Sequence, residues 1–189
     1  MERAAQEILE KQVRFLFPAI ITYYSEPLAV ARGKGLYLYD TEGREYLDFY
    51  GGILTIIAGH CNDKITDALV NQARTLQHTS TLFLTAPQVE LAEKLAAITP
   101  GRLQKSYFTN SGTEANETAI QVARAYTGRH EVVALRHAYS GRSALAMSIT
   151  GQYAWRTGGP GLPGIVHAHN AYCYRCPFEK TYPDCELVC

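Results

Sequence analysis

Between Arg3 and Leu16 the apolar residues Ala5, Ile8, Leu9, Val13 and Leu16 recur on one stripe with charges opposite, a spacing that predicts an amphipathic helix over 3–16. The pattern then changes. GLYLYDTEGREYLDF alternates and turns at Asp40–Gly43, where aspartate first and glycine last suit a type I turn, so strands are expected at about 35–39 and 44–49. Helical spacing returns over 63–77 (Ile65, Ala68, Leu69, Ala73, Leu76) and over 87–98 (Val89, Ala92, Leu95, Ala96), the second helix stopped by Pro100-Gly101. Lys105–Thr109 is a short strand candidate. Residues 114–126 carry the clearest helix, with Ala115, Ala119, Val122, Ala123 and Tyr126 on one face. Glu131–Leu135 reads as a buried strand, 143–149 as a short helix, 150–164 as a loop and Gly164–His167 as a strand.

From 105 onward the order is strand, helix, strand, helix, strand, which predicts an α/β fold with a parallel sheet and crossover helices. The first sixty residues, a helix and a hairpin, are a different kind of object, so the chain is divided at 1–60 and 61–189. No internal repeat or low-complexity segment is present.

Composition narrows the partners. Hydrophobic residues make up 47% of the 189, enough for a packed core. Lys plus Arg and Asp plus Glu are 18 each, and a net charge of zero argues against nucleic acid or an anionic membrane as a main partner. No run approaches the roughly 18 apolar residues of a membrane span, and the first residues, MERAAQEILEK, lack the apolar stretch of a signal peptide. A cytoplasmic protein is the expectation. Five cysteines, four of them crowded into the last 17 residues, do not read as an extracellular disulfide framework.

The chemistry sits in YFTNSGTEANE, residues 107–117, at a strand-to-helix junction. Ser111 and Glu114 have capping-box spacing, Gly112 leaves the backbone open to close approach, and the first helical turn offers unpaired N–H groups at its electropositive end. With the hydroxyls of Ser111 and Thr113 these make a cradle for a phosphate. The plainer alternative is that Ser111 merely caps a helix. A cradle of this kind suits nucleotides, sugar phosphates or pyridoxal phosphate.

Asn110-Ser-Gly-Thr-Glu-Ala-Asn116, followed by Thr-Ala-Ile and Ala-Arg, resembles the phosphate-loop signature of class III (ω-amino acid type) aminotransferases. GLYLYDTEGREYLDFYGGI is similar to that family's N-terminal hairpin, AGHCNDKITDALVNQ to its next helix, and HEVVALRHAYSGR to the strand and turn that present an aromatic ring to the cofactor. The likeness is greatest to the branch with alanine–glyoxylate and 4-aminobutyrate enzymes. It implies part of the fold type I large domain, at 61–189, behind the N-terminal helix and hairpin of the small domain. It also implies that Ser111, Gly112 and Thr113 hold the phosphate of pyridoxal 5'-phosphate, that Tyr139 lies against its ring, and that Ile53 lines the substrate channel. Ser140 stands where the family usually has histidine. The implied activity is amino transfer from an amino acid to a keto acid such as pyruvate, glyoxylate or 2-oxoglutarate, in a homodimer or a dimer of dimers. Ile53, Leu54, Ile56 and Ile57 suit burial at the subunit interface. A phospho-lyase on the same fold is the near alternative, and a non-catalytic homologue, degenerate or zinc-binding, the more distant one.

Pyridoxal chemistry also needs a lysine bonded to the cofactor and a carboxylate on the pyridine nitrogen. Lys11, Lys34, Lys64, Lys94, Lys105 and Lys180 lack the family's lysine context, and no aspartate, Asp184 included, matches its carboxylate. The chain therefore reads as the N-terminal part of such an enzyme, inactive by itself and holding no catalytic residue. Cys173, Cys176, Cys185 and Cys189, with His167 and His169 nearby, have spacing compatible with zinc, but eight residues between the cysteine pairs offer little to hold a ligand shell, so ordinary reduced thiols are the expectation.

Overall fold

The computed structural model describes residues 3–19, 23–157 and 159–189, which form two compact units, Met1–Leu84 and Thr85–Cys189. In the first unit, helix α1 (Arg3–Phe15) is supported by Gln6 and Glu10 one turn apart. Its apolar stripe forms as expected but is uncovered, with Val13 76% exposed. Strands β1 (Val30–Lys34), β2 (Tyr37–Asp40) and β3 (Glu45–Leu47) make an antiparallel meander in the order β1-β2-β3. The hairpin falls where the alternation placed it. β1 was not expected, because Val-Ala-Arg-Gly-Lys carries no alternation; pairing with β2 makes it a strand, and the Arg32 guanidinium sits 3.3 Å from the Tyr39 ring centroid.

The Asp40 carboxylate organises the β2–β3 turn, accepting from Glu42 N, Arg44 N, Arg44 Nε and the Tyr46 hydroxyl at 2.7–3.0 Å. After β3 the chain makes one turn, α2 (Gly51–Leu54), and then helix α3 (Asp63–Thr75), whose Asn62 cap accepts from Ile65 N. Paired backbone bonds between Gly35 and His60, both 2.8 Å, and the Lys34–Asp63 ion pair tie the start of α3 to the meander. Residues 61–84 consequently group with the first unit, while the sequence reading had divided the chain after residue 60.

The second unit holds α4 (Ala86–Ile98), α5 (Gly112–Thr127), β4 (Val132–Leu135), α6 (Ala144–Ile149) and β5 (Ile165–Ala168), with single 3-10 turns at Tyr153–Trp155 and Cys173–Arg175. β4 and β5 pair in parallel, Val132 opposite Ile165 and Leu135 opposite Ala168, and α6 lies between them in sequence and packs on both. Its buried Leu145, Ala146 and Ile149 form the core here. This is the parallel sheet of the sequence reading, with two corrections. Lys105–Thr109, exposed as far as Phe108, is not a strand, because among the described residues no backbone pairs with it. β4 is half exposed rather than buried, with Val133 at 70% and only the alternate residues Val132 and Ala134 partly covered. Among the described residues no helix is long and apolar enough to cross a membrane.

A folded monomer of 21.0 kDa is expected to leave about 9,000 Å² accessible, and this chain exposes 15,952 Å². Phe49, Ile57, Leu82 and Leu84, each 87% exposed or more, are among the apolar side chains left without cover.

Candidate functional site

Helix α5 starts at Gly112 because Ser111, in extended backbone, caps it: its hydroxyl accepts from Glu114 N at 3.2 Å. The return half of the expected capping box is displaced by one residue. Glu114 Oε2 accepts from the backbone N–H of Asn110 (2.7 Å) and from its side-chain amide (3.1 Å), not from Ser111. Left-handed Gly128 ends the helix after sixteen residues, its N–H bonded to Arg124 O.

Among the described residues the N–H groups of Gly112 and Thr113 have no partner. Gly112 is exposed, and a Cβ placed on it meets nothing within 4 Å. These unpartnered amides lie at the positive end of a long helix, with open space beside the Gly112 α-carbon. Ser111 Oγ and Thr113 Oγ1 are each already acceptors, from Glu114 N and Arg142 N (3.3 Å), so each keeps its O–H proton for a further bond. Two amides and two hydroxyl protons at a helix N-terminus form a donor set suited to an oxyanion, and a phosphate ester fits it.

The loop after β4 is brought against this end of α5. Arg142 N donates to Thr113, Asn116 Nδ2 donates to Ser140 O (2.8 Å), and the Ser143 hydroxyl bonds the Glu117 carboxylate. Ser140 N in turn donates to the wholly buried Thr150 hydroxyl at 3.0 Å. Gly141 permits the approach: it has φ 132°, and a Cβ there would fall 2.4 Å from Thr113 Oγ1. Tyr139 rides on this loop, half exposed, with the Trp155 ring edge-on at 5.7 Å. Ser140 makes both its bonds through the backbone, and its hydroxyl has no partner among the described residues, so the departure from the family's histidine leaves the loop's tethers intact.

The sequence reading named Ser111, Gly112, Thr113 and Tyr139, and the structure gathers them at one end of the second unit. It missed Asn116, Glu117, Gly141 and Thr150, which hold the loop across 10 to 29 residues of chain. Sequence spacing carries no signal for such contacts, although a glycine two residues past Tyr139 is a hint of close approach.

Ile53 lies in the first unit. Gly51 to Leu54 all have positive φ, 54° to 63°, so this turn is left-handed, and Ile53 and Leu54 adopt it at a cost of roughly 1–2 kcal/mol each. Asp48 steadies it by accepting from Tyr50 N (2.8 Å), Gly51 N (3.0 Å) and His60 Nε2 (2.7 Å). The His60 bond foremost, then the two amides, hold the Asp48 carboxyl below its ordinary value against the opposing effect of burial. A strained β-branched residue, 67% exposed, is the kind of feature that collects at functional surfaces.

All six lysines and Asp184 are exposed, with Lys34 paired to Asp63. None is enclosed beside the cradle. Among the described residues no three His, Cys, Asp or Glu side chains converge on a metal position, and the five cysteines are free thiols.

Residues 22–187 match the model of the class III aminotransferase family, and the chain belongs to that family. It is 42% identical over 153 residues to alanine–glyoxylate aminotransferase 2 homolog 2, mitochondrial, of Arabidopsis thaliana, which covers 81% of this chain and 32% of the relative. It is 38% identical over 175 residues to human alanine–glyoxylate aminotransferase 2, mitochondrial, covering 93% and 34%. Among solved structures, a thermostable (S)-enantioselective omega-transaminase from Thermomicrobium roseum superposes with a TM-score of 0.82 at 33% identity, over 96% of this chain and 43% of that one. A Bacillus anthracis aminotransferase gives 0.80 at 28% identity, over 94% and 41%. The fold is thus part of the fold type I architecture of these transaminases. The chain spans about a third of the length of the curated relatives.

Proposed function

We propose that the protein moves an amino group from an amino acid of the alanine or ω-amino type to a keto acid, with pyridoxal 5'-phosphate seated at the start of α5. The observation that carries this reading is the pair of unpartnered amides at Gly112 and Thr113, at a helix start where a Gly112 Cβ would meet nothing and where the Ser111 and Thr113 hydroxyls keep their protons. These groups would bind the phosphate. Tyr139, fixed by the tethered loop, would offer its ring face to the pyridine, a stacking contribution of order 1 kcal/mol. Bound there, the cofactor supplies an electron-withdrawing ring that stabilises negative charge developing on the substrate carbon. The chain's own residues bind and orient, and proton transfer is left to a lysine outside it. Ile53 would line the substrate side with an aliphatic surface.

The uncovered apolar faces support a larger assembly, a homodimer or a dimer of dimers, in which sequence of the relatives' length and a second copy bury them. Free thiols throughout suit a reducing compartment such as the cytoplasm.

The test uses the full-length protein. Cofactor content and keto-acid-dependent amino transfer are measured beside phosphate release from an amino-alcohol phosphate. Amino transfer without phosphate release is expected, and the reverse would establish the lyase. Thr113→Ala should weaken cofactor retention by about 1–2 kcal/mol, the scale of a hydroxyl bond to a charged acceptor. Gly112→Ala should crowd the phosphate while changing stability by less than about 0.5 kcal/mol, because its Cβ meets no protein atom. Unchanged cofactor affinity in both variants would sink the assignment.

A further inference from the structure

The four cysteines of the last segment line one small, almost wholly apolar cavity of about 50 Å³. They arrive there on two turns. Cys173 opens a 3-10 turn that Cys176 closes, and the Cys176 carbonyl accepts from Glu179 N; the Cys185 carbonyl accepts from Val188 N one residue before Cys189. In a 3-10 turn residues three apart share a face, which puts Cys173 and Cys176 on the same side. Their exposure is graded: Cys173 and Cys189 are exposed, Cys176 is half-buried and Cys185 is buried at 8%. No three of them converge on one point, so a thiolate metal centre is not preformed. The chemistry open to thiols around so small a cavity is pairwise.

We infer that this segment is an oxidisable dithiol site, in which one sulfur from Cys173 or Cys176 and one from Cys185 or Cys189 join as a disulfide that staples the two turns. A small-molecule disulfide is the oxidant. An exposed cysteine attacks one of its sulfurs as a thiolate, the S–S bond breaks, and one small thiol leaves with the proton. A cysteine of the other turn then attacks the mixed disulfide, and the second small thiol leaves. The chain gives up two electrons and two protons, and the oxidant becomes two thiols. The cavity favours closure because cysteines of both turns line it, and the gradient of exposure gives the oxidant an entry point and the staple a sheltered position.

Peptide mapping tests this directly. Trypsin cuts after Arg175 and Lys180, so Cys173, Cys176 and the Cys185–Cys189 pair fall on three separate peptides. Folded, reduced full-length protein is exposed to oxidised glutathione, quenched by alkylation and digested without reductant. The expected product is the peptide beginning at Thr181 cross-linked to the peptide carrying Cys173 or Cys176, removed by dithiothreitol. Glutathione adducts alone, a link confined to Cys173–Cys176 or to Cys185–Cys189, or a cross-link that forms only after unfolding in urea would each overturn the inference.

Discussion

The two units hold their loops by different chemistry. In the first, charged groups do it: Asp40 gathers Arg44 and Tyr46, Asp48 gathers His60 and two amides, and Lys34 meets Asp63. In the second, the loop carrying Tyr139 is fixed mainly by hydroxyls and amides, through Thr113, Asn116, Ser140 and Thr150, with Glu117 the one carboxylate that joins. Every ion pair found among the described residues lies in the first unit. A cradle proposed for a phosphate gains from the lack of ion pairs among the described residues of its unit, because a buried ion pair would compete for its donors, and the carboxylate in the first turn of α5, Glu114, is itself engaged by Asn110. The left-handed turn beside Ile53 offers no oxyanion site, and its carboxylate anchor stabilises a strained backbone instead.

The largest effect is expected where the second unit's arrangement leaves no slack. Gly141→Ala places a Cβ 2.4 Å from Thr113 Oγ1 at φ 132°, so either the loop or the first turn of α5 must move. A loss of about 3 kcal/mol is expected, read from urea unfolding. Combining it with Thr113→Ala removes the closest contact, so the two losses should add to less than their sum. Full additivity would mean that the loop and the helix terminus are not coupled.

Much of the second unit was legible because its signals are local. Ser111 and Gly112 mark a cap, Gly128 a stop, and the spacing of Ala115, Ala119 and Val122 a helix, and all of these depend on residues within a few positions of each other. What eluded the sequence depends on distant partners. Val30–Lys34 becomes a strand only because β2 pairs with it, and Lys105–Thr109 stays unpaired for want of a neighbour. The same limit separates the cradle from its wall. Ser111, Gly112 and Thr113 could be named from one motif, whereas Thr150 is a threonine in a glycine-containing loop until Ser140 is seen against it.

Thr150 also gives a second, smaller test of the neutral network. Its buried hydroxyl donates to Ala146 O at 2.9 Å and accepts from Ser140 N, so Thr150→Val keeps the shape and strands the Ser140 amide. A cost of about 2 kcal/mol is expected, with the loop around Tyr139 exchanging its amides faster. Thr150→Ser should recover most of it. If valine were as stable as threonine, the hydroxyl would not be what holds the loop.

The smallest expected effect is the one that separates the two units most cleanly, their response to acid. The Asp48 carboxyl lies below its ordinary value through His60 and the Gly51 and Tyr50 amides. For Asp40 burial is the largest single influence and acts upward, but the Arg44 side chain, the Arg44 amide and the Tyr46 hydroxyl together outweigh it, so that carboxyl is lowered as well. A folded-state value below the unfolded one means that the unfolded chain takes up protons first. The stability these groups contribute is therefore full above the unfolded value, about pH 4, and drains away as pH falls through the lowered folded values. Amide exchange at residues 40–44 and 50–54 should accordingly speed up below about pH 4 while the 138–143 loop keeps its protection. Asp48→Asn should leave the turn at 50–54 less protected at neutral pH and remove its acid dependence, because asparagine can still accept from the two amides but has no charge to lose. Simultaneous opening of both loops would show that one cooperative transition, rather than the carboxylates of the first unit, governs the response.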